Sequence, residues 1–227
     1  MSKKTLFVLL IVLLIVLAPY TILPPMMGSL VGRILQDQLG LQKTPQVEVE
    51  SSPGLMTYAG SFSKALVSVE GFELAGVKTD RIVMYLDPFN VNIIESATGG
   101  ELSTEKPLSG VLRGEFSEEN TLRLAQLGAG VPVQEIQLED DLVVLKMAVG
   151  LGSPATVRGR LFLQDGSLIF EPRQIEGAPQ QLLAVVEFAY PVSGLPFGAE
   201  ISGVDVREDR LILSARIQKI PLGEPIG

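Results

Sequence analysis

Three hydrophobic rhythms follow one another along this chain. From Leu6 to Ala18 every residue is apolar, with Lys3 and Lys4 just ahead and no further charge until Arg33. From Met26 to Leu41 the apolar positions Met27, Leu30, Val31, Ile34, Leu35 and Leu39 recur three and four apart, with Arg33, Gln36 and Asp37 opposite. That spacing predicts an amphipathic helix over 26–41, beginning after Pro24-Pro25 and stopping at Gly40. From Gln46 the period drops to two. Val47 and Val49 alternate with Glu48 and Glu50, and Ala65, Val67 and Val69 with Leu66, Ser68 and Glu70. Through Val77 to Leu86 both faces are apolar, Asn90 to Ala97 is another strand candidate, and Val111 to Phe116 a weaker one. Leu142 to Val149, apolar except for Lys146, reads as a central strand.

The sharpest local signal is Asp165-Gly166 between two alternating runs, a pair suited to a two-residue type I′ hairpin turn. It pairs Gln164 with Ser167, Leu163 with Leu168, Phe162 with Ile169 and Leu161 with Phe170. Apolar pairs on both faces predict that both faces are covered. The alternation is interrupted twice. Ser117 as N-cap, Glu118 and Glu119 in the first turn, and Gly128 and Gly130 as stops predict a helix over 117–127. Pro179 and Pro191 bracket a run with Glu187 as its one charge, which predicts a helix over 179–190, apolar nearly all round. The chain then closes with a hairpin over 195–222, turning near Glu208-Asp209. Strands dominate 46–176. Nine or ten strands, with three helices set apart by runs of strands, predict a single α+β domain over 26–227. Its expected form is an extended, curved antiparallel sheet wrapped around one or more apolar helices.

As a helix, Leu6 to Ala18 spans about 20 Å, short of a ~30 Å hydrocarbon core, and continuing to Leu23 reaches about 27 Å but takes in Pro19. Ala18-Pro19-Tyr20 offers no small-x-small cleavage site. Residues 1–25 therefore read as a signal anchor, with a cleaved signal peptide as the alternative. In either case the lysines stay cytoplasmic and the rest is expected on the extracytoplasmic side of the membrane. Leu6, Phe7, Leu10, Leu13, Leu14 and Leu17 are the expected membrane-segment residues.

Charge and composition narrow the chemistry. The net charge of −8 becomes −10 once Lys3 and Lys4 are set aside. So acidic a chain suits neither nucleic acid nor electrostatic adhesion to anionic lipid, and any lipid contact is expected to be apolar. There is no cysteine and no histidine. Disulfides, thiol and His-based catalysis and the usual zinc sites are thereby excluded. Glu139-Asp140-Asp141 lacks EF-hand spacing and reads as a solvated turn; Gly150-Leu151-Gly152 lacks the context of a phosphate loop. A carboxylate-pair hydrolase would need two acids placed across a cleft, and no motif supplies them. No cofactor, no metal and no catalytic residue is expected.

Several stretches, in order, resemble the LmeA-like phospholipid-binding family of bacterial envelope proteins: Ser52-Pro53-Gly54 with Ser61 to Phe72 (SFSKALVSVEGF) and Asp80 to Leu86 (DRIVMYL); Phe116 to Leu124 (FSEENTLRL); Leu163 to Pro172 (LQDGSLIFEP); and Leu195 to Leu222 (LPFGAEISGVDVREDRLILSARIQKIPL). Each consists of turn and pattern residues, and their shared order and spacing carry the likeness over about 28–222. The chain departs from the family pattern at Arg123, where an Asn is usual, and in the length of the loop around Thr98 to Leu108. The resemblance implies a tubular lipid-binding-like fold, an apolar groove and lipid binding on the outer side of the cytoplasmic membrane.

With that resemblance, the run before Pro191 gains a second use. Leu182, Val185, Val186, Phe188, Ala189 and the tip residue Phe197 are the candidate lipid contacts, set against the plainer reading of a core helix and an anchored turn. The helix over 26–41, with Arg33 facing Asp37, is expected to dock within the domain and not to lie on a membrane. The function expected is non-catalytic binding or transfer of phospholipid-like molecules. The alternative is an envelope scaffold or partner-binding protein with a filled core and no lipid site.

Overall fold

A computed structural model describes residues 23–220 apart from 40–42, 53–55, 57–58, 75, 93–94, 97–102, 129–131 and 150–152. The expected membrane-segment residues Leu6 to Leu17 lie outside the described residues. Among the described residues no helix is long and apolar enough to cross a membrane. Helices α1 (Leu23–Leu39), α2 (Glu118–Gly128) and α3 (Leu183–Val186) accompany strands β1 (Gln46–Glu50), β2 (Ser61–Phe62), β3 (Lys64–Glu70), β4 (Glu73–Leu74), β5 (Val77–Lys78), β6 (Arg81–Leu86), β7 (Phe89–Asn90) and β8 (Leu108–Ser117). They continue with β9 (Val133–Glu139), β10 (Leu142–Val149), β11 (Ser153–Gln164), β12 (Ser167–Glu176), β13 (Phe188–Pro191), β14 (Glu200–Arg207) and β15 (Arg210–Ile220). The chain packs as two compact units, one of Met1–Val69, Met84–Val111 and Gln218–Gly227, the other of Glu70–Val83 and Leu112–Ile217.

In the first unit β1 and β3 pair antiparallel, with Val47 opposite Val67 and Val49 opposite Ala65. β3, β6 and β8 follow in order beside them. Helix α1 lies on β1. Pro24 and Pro25 fall in its first turn, where the missing N–H costs nothing. Gly28 and Gly32, one turn apart, let the helix backbone approach the strand: a methyl group on Gly28 would stand 2.6 Å from the Val47 carbonyl oxygen, one on Gly32 3.2 Å from that of Pro45. Val31 and Leu35 are buried on the same side. The helix thus docks on its own sheet. Phe62 and Phe89, brought together by the β2–β7 pair, stack with centroids 5.3 Å apart.

The second unit is built on an antiparallel meander in the order β13-β12-β11-β10-β9. Asp165-Gly166 turns β11 into β12 with the pairing that the turn type dictates, Gln164 with Ser167 through Leu161 with Phe170. Helix α2 touches both β9 and β13, the two ends of this sheet, so the sheet is curled into a half-barrel. β14 and β15 form the closing hairpin, with Asp209 at φ 65° in its turn.

The structure corrects four expectations. The apolar helix over 179–190 is a 3₁₀ turn at Gln180–Leu182, the four-residue α3, and then an edge strand, β13. A short apolar run carries no period of its own; here Phe188 is buried, Ala189 exposed and Tyr190 half-buried, the alternation of a strand. The strand through Val77 to Leu86 is split into β5 and β6, where buried Thr79 turns its hydroxyl back to the Phe72 carbonyl. Of the strand over Asn90 to Ala97, the described residues give only Asn90 in β7 and a bridge from Val91 to Thr104, residues 93–94 and 97 lying outside them. The β11–β12 hairpin is covered on one face: Leu168 and Phe170 are buried, whereas Phe162, opposite half-buried Ile169, is 36% exposed.

Candidate functional site

The interior of the second unit is a strongly apolar enclosure. Alternation along four strands aims one set of side chains at it: Ile136 from β9, Val143 and Leu145 from β10, Leu161 from β11, Leu168 and Phe170 from β12. Phe188 and Tyr190 of β13 close one side, Leu211 of β15 contributes another wall, and α2 covers it with Thr121, Leu124 and Ala125. Phe170 is fully buried and stacks on Phe188 with centroids 5.3 Å apart and ring planes at 23°. The Thr121 hydroxyl is already spent, donating to the Ser117 carbonyl at 2.8 Å. The free volume left among these side chains is about 10 Å³, room for roughly one water. As it stands the interior is filled.

Three polar devices set α2 over this sheet. The Asp80 carboxylate accepts from the Ser117 N–H and from the Asn120 amide, 3.0 Å away, and so caps the helix from the bend between β5 and β6. Burial raises the Asp80 pKa, but the Ser117 and Asn120 hydrogen bonds together outweigh it and leave the group below its ordinary value. Glu118 accepts from the Leu138 N–H at 2.8 Å, and Gln126 donates to the Val133 carbonyl at 3.0 Å. Both tie α2 to β9. At the other edge, Gly128 lies against β13: a methyl group there would stand 3.0 Å from the Phe188 ring and 3.3 Å from Tyr190 Cβ.

Of the candidate lipid contacts, Phe188 alone lines this interior. Val186 is buried, Leu182 and Phe197 are half-buried, and Ala189 is exposed on the opposite face of β13. Val185 belongs to α3. Phe197 sits in a 3₁₀ turn with φ 59°, so the Leu195 to Gly198 tip is a folded turn. The residues that sequence reasoning passed over are the inward alternates of β10, β11 and β12 and the buried face of α2. The hairpin register already placed Leu161 with Phe170 and Leu163 with Leu168, and that was the signal to follow.

A second, polar cleft of about 500 Å³ lies among Glu118, Gln137, Leu138, Glu139, Asp140, Glu208 and Asp209. Two of its acids serve the fold: Asp140 accepts from the Glu208 N–H at 3.3 Å, Glu118 from the Leu138 N–H. Among the described residues no three acids are grouped to hold a metal ion.

A chain this apolar inside, with its polar groups spent on helix placement, is matched over residues 22–216 by the profile of the LmeA-like phospholipid-binding family. The chain belongs to that family. No curated protein and no solved structure matches it. The family match takes in α1, the whole meander and most of the closing hairpin, and so includes every residue that lines the apolar interior.

Proposed function

We propose that this member of the LmeA-like family binds phospholipid-like molecules without catalysis, holding acyl chain in the apolar interior of its second unit. The curled meander with α2 inside its two edges is then the wrapped sheet of a tubular lipid-binding-like fold, with α2 in the place first given to the 179–190 run. Residues 1–25 tether the protein to the cytoplasmic membrane, with the folded part on its outer side. The observation that carries the reading is the interior itself: ten of its twelve lining residues are hydrophobic, Thr121 and Tyr190 being the others, in a chain of a phospholipid-binding family. At ~0.8 kcal/mol for each buried methylene, ten methylenes contribute about 8 kcal/mol, a micromolar affinity before ordering costs.

A second reading, a scaffold with a filled core, draws on the same site, because only about 10 Å³ is free there. Native mass spectrometry of the purified chain, with vesicle-to-vesicle transfer of phospholipid, separates the two. Bound phospholipid and transfer are expected; a lipid-free protein that takes up none from vesicles supports the scaffold instead.

A further inference from the structure

We propose that β13 is a door: a phospholipid acyl chain reaches the interior between β13 and the C-terminal end of α2, and Phe188 and Tyr190 move out with the strand to make room. The inference rests on the lipid-binding reading above and adds the route and the moving part.

With about 10 Å³ free, no acyl chain fits until a wall side chain leaves. The walls differ in how firmly they are held. β10, β11 and β12 each have a neighbouring strand on both sides. β9, at one end of the meander, is latched to α2 by the Glu118–Leu138 and Gln126–Val133 hydrogen bonds. β13, at the other end, has a register of four pairs with β12, from Ser167–Pro191 to Phe170–Phe188, with one more backbone bond beyond it from the Val192 N–H to the Gly166 carbonyl. End strands and short segments open locally at the smallest cost. Against α2 this strand packs on the backbone of Gly128.

The flanks suit a hinge. Before β13 stands the single turn of α3, which has no side-chain cap. The strand ends at Pro191, which has no N–H to give, and Gly194 follows at φ 70°, a left-handed conformation that glycine adopts freely. Exchange is also cheap in kind. Phe188 leaves an apolar contact with Phe170, and roughly two to four methylenes of an acyl chain bury as much as the ring did.

The chain has no cysteine, so an introduced pair reports only itself. Ile169 and Ala189 are register partners on β12 and β13. Their neighbours Leu168, Phe170, Phe188 and Tyr190 line the interior, and they themselves do not. Opposed strand positions fall within disulfide reach. The test uses the full chain carrying Ile169→Cys and Ala189→Cys, with uptake of pyrene-labelled phosphatidylglycerol from phosphatidylcholine vesicles as the readout. Uptake is expected to be lost in the oxidised protein and to return to the wild-type rate on reduction. Wild-type uptake by the oxidised protein overturns the door and leaves lipid binding standing, as does equal slowing in both redox states. Absence of uptake by wild-type and reduced proteins overturns the lipid-binding reading and the door with it.

Discussion

Helix α1 on β1 and helix α2 on the curled meander are both helix-on-sheet layers, built in opposite ways. Under α1 the spacers are Gly28 and Gly32, and the helix backbone nearly touches the strand. Under α2 the spacers are Leu124, Phe170, Leu145 and Phe188, side chains thick enough to hold the layers apart. A layer closed by glycines has nothing to give up. A layer held open by apolar side chains encloses a volume that other apolar groups can fill if a side chain moves. The same architecture thus makes a close backbone joint in one unit and an interior lined by apolar side chains in the other.

Phe170→Ala should cut deepest. Removing a fully buried ring is expected to cost about 3–5 kcal/mol, lowering the midpoint of thermal unfolding by roughly 6–20 °C. Phospholipid micelles should restore part of that loss, since a ligand that fills the space binds the folded state alone. A loss untouched by lipid would make the second layer as fixed as the first.

Gly28→Ala comes next. The added methyl meets the Val47 carbonyl at 2.6 Å. Overpacking of ~1–3 kcal/mol is expected, offset in part by up to ~1 kcal/mol of helix propensity. Lipid should restore none of it in the same melting experiment, and a rescue there would erase the contrast.

Asp80→Asn should be the mildest, at about 1 kcal/mol or less, because the carboxylate is solvent-exposed and its cap is screened. Its sign with pH is fixed. The folded-state pKa lies below the ordinary value, so the stabilisation is complete above the unfolded value of about 3.9 and fades as pH falls through the folded one. Denaturant melts of wild type and variant should therefore differ by a constant amount near neutrality and converge in acid.

How much of this was legible in the sequence follows from which signals were local. The Asp165-Gly166 turn fixed the β11–β12 register because two residues set the twist and alternation did the rest. The N-terminal signals of α2 placed it to within a residue, at Glu118–Gly128. The run before Pro191 failed because eight nearly unbroken apolar residues fit either period, and only pairing with β12 decides for a strand. The site was half-legible for the same reason. Phe188, singled out by its hydrophobicity, lines the interior, whereas Leu161, Leu168 and Phe170 come together there only when the meander curls far enough for both its end strands to meet α2. Asp80 as the distant cap of α2 was beyond reach, since it stands 37 residues from Ser117.

The most direct measurement is photocrosslinking with a phospholipid carrying a diazirine in its acyl chain, followed by peptide mapping of the labelled full-length protein. The account predicts label on the β11–β12 segment around Leu161 to Phe170 and on β13 at Phe188 to Tyr190. Label confined to the Leu195 to Gly198 turn or to residues 6–18, with none on the meander, would contradict it.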